Sequence, residues 1–131
     1  MTQTRTKIYF AINTEDQSVD DSTISKYINI PPTKFELMFA RGHIPKCTIW
    51  EYALPEFTNW DIQTELNKIV SVMQPFKNGL IKLKEEYDVS FVIQLVLYIG
   101  EETPSLHFGS SVTKFASEIE AEIDCDMYNE K

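Results

Sequence analysis

Residues 88–99, DVSFVIQLVLYI, decide the fold. In an extended chain successive side chains point to opposite faces, so Val89, Phe91, Ile93, Leu95, Leu97 and Ile99 share one side and Val92, Val96 and Tyr98 the other. Apolar residues on both sides mark a strand from the interior of a sheet. Gln94 interrupts the run, which falls well short of the roughly 20 apolar residues a membrane span needs.

Such a strand needs neighbours, and the flanking sequence supplies them. Residues 7–12, KIYFAI, alternate in the same way, with Ile8, Phe10 and Ile12 on one side. The polar loop NTEDQSVDD follows, then a short helix that Asp21 can cap. Ile24, Tyr27 and Ile28 fill its inner face, and Pro31-Pro32 ends it. Phe35, Leu37 and Phe39 alternate up to a turn at Arg41-Gly42, and residues 47–53, CTIWEYA, are the expected hairpin partner. In that partner Thr48, Trp50 and Tyr52 face one way and Cys47, Ile49 and Glu51 the other.

Three helical patterns complete the chain. Thr58 or Asn59 can cap a helix whose Ile62, Leu66, Ile69, Val70 and Met73 form one stripe, which Pro75 stops or kinks. Leu80, Leu83 and Tyr87 belong to a second stretch, with Gly79 a weak point in its first turn. After the turn GEETP, SLHF reads as a short strand. Ser110 or Ser111 then caps a helix with Val112, Phe115, Ala116 and Ile119 inward. The closing EIDCDMY returns to period two, with Ile123, Cys125 and Met127 toward the core and Glu122, Asp124, Asp126 and Tyr128 away from it.

The order βαββα(α)β, extended by ββαβ, predicts a single α+β domain over residues 1–131. Its expected architecture is two-layered: a mainly antiparallel mixed sheet of about six strands with helices on one face. A hydrophobic content of 43% supports a packed core. The net charge of -8 disfavours nucleic acid and anionic membranes, and attracts a basic protein. Cys47 and Cys125 lack CxxC or Cys/His company, so neither a zinc site nor a disulfide framework is expected. The opening MTQTRTKIYF has no apolar signal-peptide core, and the expected compartment is the cytoplasm.

Asp124 and Asp126 are the main candidate for chemistry. Two residues apart on a strand, their α-carbons lie about 6–7 Å from each other on one face. The pair suits a hard cation or an acid–base couple, provided further ligands or a cleft complete it. Otherwise it is a solvated face that blunts an edge strand. His107, beside Gly109, is a candidate base, and His43 in RGHIP is a turn residue. GxSxG, HExxH, P-loop and GxGxxG motifs are absent, and no cofactor is expected. Cys125, between two aspartates, should have a raised thiol pKa and poor nucleophilicity. Trp50, Tyr52 and Trp60 are of the types that anchor interfaces, although a strand tryptophan also suits the core. Charge is concentrated in Glu118, Glu120, Glu122, Asp124, Asp126 and Glu130, and in Glu15, Asp16, Asp20 and Asp21 of the first loop.

In its opening strand KIYFAI, the segment STISKYINIPPTKF, the Arg41-Gly42 turn leading to WEY at Trp50 to Tyr52, and the closing EIDCDMY, the chain resembles bacterial domain-of-unknown-function family 4279. The chain departs from it by extending ELMFA ahead of Arg41-Gly42. The resemblance implies small cytoplasmic proteins, some of them immunity proteins encoded beside toxins, and transfers no catalytic residue.

The expectation is therefore a non-enzymatic protein-binding module, such as a toxin-neutralising immunity protein. Its partner-binding candidates are Asp124, Asp126, Tyr128, Glu122, Trp50 and Tyr52. Two alternatives stand beside it. One is a metal-binding or hydrolytic domain on Asp124 and Asp126, and the other is a homodimer formed through Val92, Val96 and Tyr98.

Overall fold

The computed structural model describes residues 2–58 and 61–130. The elements run β1 (Arg5–Thr14), α1 (Asp21–Ser25), β2 (Lys34–Glu36), β3 (Thr48–Ala53), α2 (Ile62–Met73), α3 (Lys77–Glu86), β4 (Val89–Ile99), α4 (Ser110–Glu118) and β5 (Glu122–Asn129). A 3-10 turn at Gln74–Phe76, containing Pro75, joins α2 to α3. The strands form one sheet in the order β2-β3-β1-β4-β5. All neighbours are antiparallel except β4 and β5, because α4 carries the chain back to the start of the sheet before β5 begins. The architecture is α+β with a mixed, mainly antiparallel sheet, as its patterning predicts.

The register places every second residue on the helix-covered side. Ile8 pairs with Leu95, Phe10 with Ile93 and Ile12 with Phe91, and all six are at most 2% exposed. Ile24 of α1, Ile62, Leu66, Ile69, Val70 and Met73 of α2, Leu80 and Leu83 of α3, and Val112, Phe115, Ala116 and Ile119 of α4 and its end join them in one core. The helical stripes read from the sequence are the buried ones, except that Tyr27 and Tyr87 are only half-buried against the core. Burial of this kind contributes about 25 cal/mol per Å² of apolar surface, which makes this layer the main source of stability.

Five strands form the sheet rather than about six. SLHF does not pair: residues 100–109 are irregular, and Phe108 is exposed. The alternation Phe35, Leu37, Phe39 also outruns its strand. Pairing with β3 stops at Glu36, since Phe39 takes a left-handed φ of 61° and Gly42 a φ of 83°, and extended pairing cannot pass through them. Asp20, not Asp21, caps α1 by accepting from the Thr23 N–H at 2.9 Å. Asp61 caps α2 in place of Thr58 or Asn59, accepting from the Thr64 N–H at 3.1 Å. Gly109 stands at the start of α4 instead of a serine, with its N–H donated to Gln63 Oε1 at 3.0 Å. Asn59 and Trp60 lie outside the described residues.

Candidate functional site

The same register that fills one face leaves the other bare. Opposite the helices lie Arg5, Lys7, Tyr9, Ala11 and Asn13 of β1, and Ser90, Val92, Gln94, Val96 and Tyr98 of β4. Glu122, Asp124, Asp126 and Tyr128 of β5, Ile49, Glu51 and Ala53 of β3, and Lys34 and Glu36 of β2 complete the face. Among the described residues the buried side chains of the helices cluster on the opposite side, and on this one only the small Ala11, 3% exposed, and Gln94, 7% exposed, are buried. Rows across the sheet bring together Glu51, Ala11, Val92 and Glu122, then Tyr9, Gln94 and Asp124, then Lys7, Val96 and Asp126, then Arg5, Tyr98 and Tyr128.

At one end of the face an aromatic and cationic stack is assembled from three strands. The Tyr98 and Tyr128 rings stack with centroids 5.7 Å apart and planes 21° apart. The Arg5 guanidinium sits 4.1 Å from the Tyr98 centroid, within reach of the ring's negative face. It also donates to Glu130 at 3.0 Å and to Glu56 at 3.0 Å, tying β1 to the end of β5 and to the β3–α2 connection. The Glu130 hydrogen bond, ahead of the Glu56 contact, raises the Arg5 pKa and keeps the group charged.

The middle of the face is acidic and partly dry. Gln94 is 7% exposed and donates through Nε2 to Asp126 Oδ2 at 3.3 Å and to the Leu95 carbonyl at 3.1 Å. Burial raises the Tyr9 pKa, with added repulsion from Glu51, Asp126, Asp124 and Tyr128, so the phenol stays neutral and can donate a hydrogen bond. Burial also raises the Glu51 pKa, against the pull of Lys34. A carboxylate whose ionisation is opposed by its surroundings costs the fold stability. That cost has no return within the core, because Glu51 points away from it.

The six partner-binding candidates separate. Glu122, Asp124, Asp126 and Tyr128 share the bare face, with Tyr128 53% exposed. Trp50, 1% exposed and paired with Ile12, is a core residue and leaves the set. Tyr52 shares its face, paired with Phe10, and packs against the core half-buried. On the far side of β5, expected to be core, Ile123 and Cys125 only pack against the core half-buried, and Met127 is 58% exposed and is not core. Burial, ahead of Asp124 and Asp126, raises the Cys125 thiol pKa, which leaves it a poor nucleophile.

Among the described residues, no three His, Cys, Asp or Glu side chains converge as a metal site would require. His107 and His43 are exposed in irregular or turn segments. In the first acidic loop Asp16 accepts from the Ser18 N–H at 2.9 Å and Asp20 caps α1, so both carboxylates serve local structure. No described helix is long and apolar enough to cross a membrane. The residues that sequence reasoning missed are Arg5, Tyr9 and Gln94. Alternation puts Tyr9 on the face opposite Phe10, but only the strand order sets it in one row with Gln94 and Asp124.

Fold and face together define a small α+β domain with one helix-covered sheet face and one open face of tyrosines and carboxylates. The chain belongs to the family described as domain of unknown function (DUF4279), whose model matches residues 3–130. No curated protein matches the chain. No solved structure matches it either.

Proposed function

We propose that this protein is a non-enzymatic binding module that masks a basic protein with its open sheet face, in the manner of a toxin-neutralising immunity protein of the bacterial cytoplasm. The observation that carries this reading is the open face itself: Tyr9, Tyr98 and Tyr128 are set among Glu51, Glu122, Asp124 and Asp126, on the side away from the buried faces of the described helices. Tyrosines supply contact area at low entropic cost, and carboxylates steer a cationic surface toward it. Two further features support the reading. Glu51 is kept on this face although burial opposes its charge, and Arg5 holds Tyr98 in a fixed stack against Tyr128.

Copurification tests it. Tagged protein coexpressed with the products of adjacent genes should retain a basic one through gel filtration and suppress its toxicity. If every neighbouring product elutes separately, the reading fails. The homodimer alternative draws on the same uncovered Val92, Val96 and Tyr98, but pairing two such faces sets carboxylates against carboxylates, and sedimentation at micromolar concentration should show a monomer.

A further inference from the structure

β5 is the last strand of the sheet, and its outer side has no partner strand among the described residues. It is eight residues long, whereas β2 at the opposite edge has three. A free edge of that length is a template on which another chain can lay down a strand through main-chain hydrogen bonds.

Side-chain alternation then states what an added strand must look like. On the open face it would run beside Glu122, Asp124, Asp126 and Tyr128. On the other face it would run beside Ile123, Cys125 and Met127, of which Met127 is 58% exposed and offers unburied apolar surface. Opposite charges and apolar pairs on neighbouring strands attract, while like charges directly across repel. A second copy of β5 is thereby disfavoured. In antiparallel self-pairing about a two-fold axis, Asp124 would face Asp124 or Asp126, and the acidic residues of the two copies would share one face.

We propose that the outer edge of β5 takes an extended segment in which lysine or arginine alternates with apolar residues, adding it as a sixth strand. This rests on the reading of a basic protein partner and names the part of that partner which is recognised. The cations lie along Glu122, Asp124 and Asp126, and one of them can sit over the exposed Tyr128 ring. The apolar residues extend the layer begun by Ile123, Cys125 and Met127. The carboxylates that protect the edge from its own copies are the groups that select this occupant.

The test uses the full chain and blocked synthetic peptides of equal composition: alternating Lys-Val, the block sequence with all lysines before all valines, and two N-methylated forms of the alternating peptide. One form is methylated at every lysine nitrogen and the other at every valine nitrogen. In a strand all lysine N–H groups point to one side and all valine N–H groups to the other, so only one of the two forms removes the bonds to β5. By fluorescence anisotropy the alternating peptide should bind about tenfold more tightly than the block peptide. One methylated form should lose about tenfold, while the other stays within about twofold. Amide hydrogen exchange should slow in β5.

Equal binding of all four peptides, weakened by Asp124→Asn/Asp126→Asn, would overturn the edge proposal while leaving the acidic-face reading standing. Failure of every cationic peptide to bind at low salt would remove both. Protection of the same amides by self-association would overturn the exclusion of a second copy.

Discussion

Replacing Gly79 with alanine should destabilise the protein, although alanine is the better helix former. Gly79 lies in α3, where an added Cβ would sit 2.0 Å from the backbone oxygen of Tyr27. Ordinary contact begins near 3.4 Å, so the two segments must separate by more than an ångström. Tyr27 is poorly placed to yield. Its hydroxyl donates to the Glu86 carboxylate, which pushes its pKa up to about 12, and its ring meets Tyr87 edge-on with centroids 6.2 Å apart. The helix gains about 1 kcal/mol from the substitution, against an overpacking cost of about 1–3 kcal/mol that a backbone clash brings to its upper end. The net expectation is a loss of about 1–2 kcal/mol, a fall in Tm of roughly 4–8 °C. Circular-dichroism melts and urea titrations measure it, with Lys82→Ala on the exposed side of α3 as the control expected to stay within about 0.5 kcal/mol. A Tm equal to or above wild type would refute the reasoning, because it would mean that the α3–Tyr27 approach opens freely.

Two other changes test the electrostatics of the open face. Glu51→Gln should stabilise at neutral pH. Burial raises the folded pKa of Glu51, so wild type binds the proton more tightly when folded and loses stability as pH rises from about 4 through that folded value. The variant lacks this loss, and its advantage in urea midpoint should grow between pH 4 and pH 7; a constant difference would contradict the assignment. The Cys125 thiol should react with a disulfide reagent with an apparent pKa above that of free cysteine, about 8.5. Asp124→Asn/Asp126→Asn should lower it only part of the way, because burial is the larger cause. Reaction faster than free cysteine would contradict the burial of this side of β5.

Much of the fold is legible because β4 and the helical stripes are dictated by burial. A strand apolar on both faces has to lie inside a sheet, and Ile62, Leu66, Ile69, Val70 and Met73 have one common direction only in a helix. What escapes is decided by contacts between distant segments. SLHF has the composition of a strand but pairs with none, and Phe35, Leu37 and Phe39 alternate until a left-handed Phe39 breaks the register. The caps miss by one to three residues because several polar side chains stand near each helix start. The open face is half legible: the pattern in EIDCDMY separates Glu122, Asp124, Asp126 and Tyr128 from Ile123, Cys125 and Met127. Nothing local tells that β4 is its parallel neighbour, or that Arg5 lies over Tyr98. Trp50 shows the reverse limit, since a residue type favoured at interfaces is equally suited to the core, and here its inward register decides.

The most direct test of the account is the affinity of the basic product of an adjacent gene for wild type and for Asp124→Asn/Asp126→Asn, titrated calorimetrically across a range of salt concentrations. The account predicts that wild-type binding weakens as salt rises, and that the double variant binds less tightly at low salt with a shallower salt dependence. Identical affinities and identical salt slopes for the two proteins would contradict it.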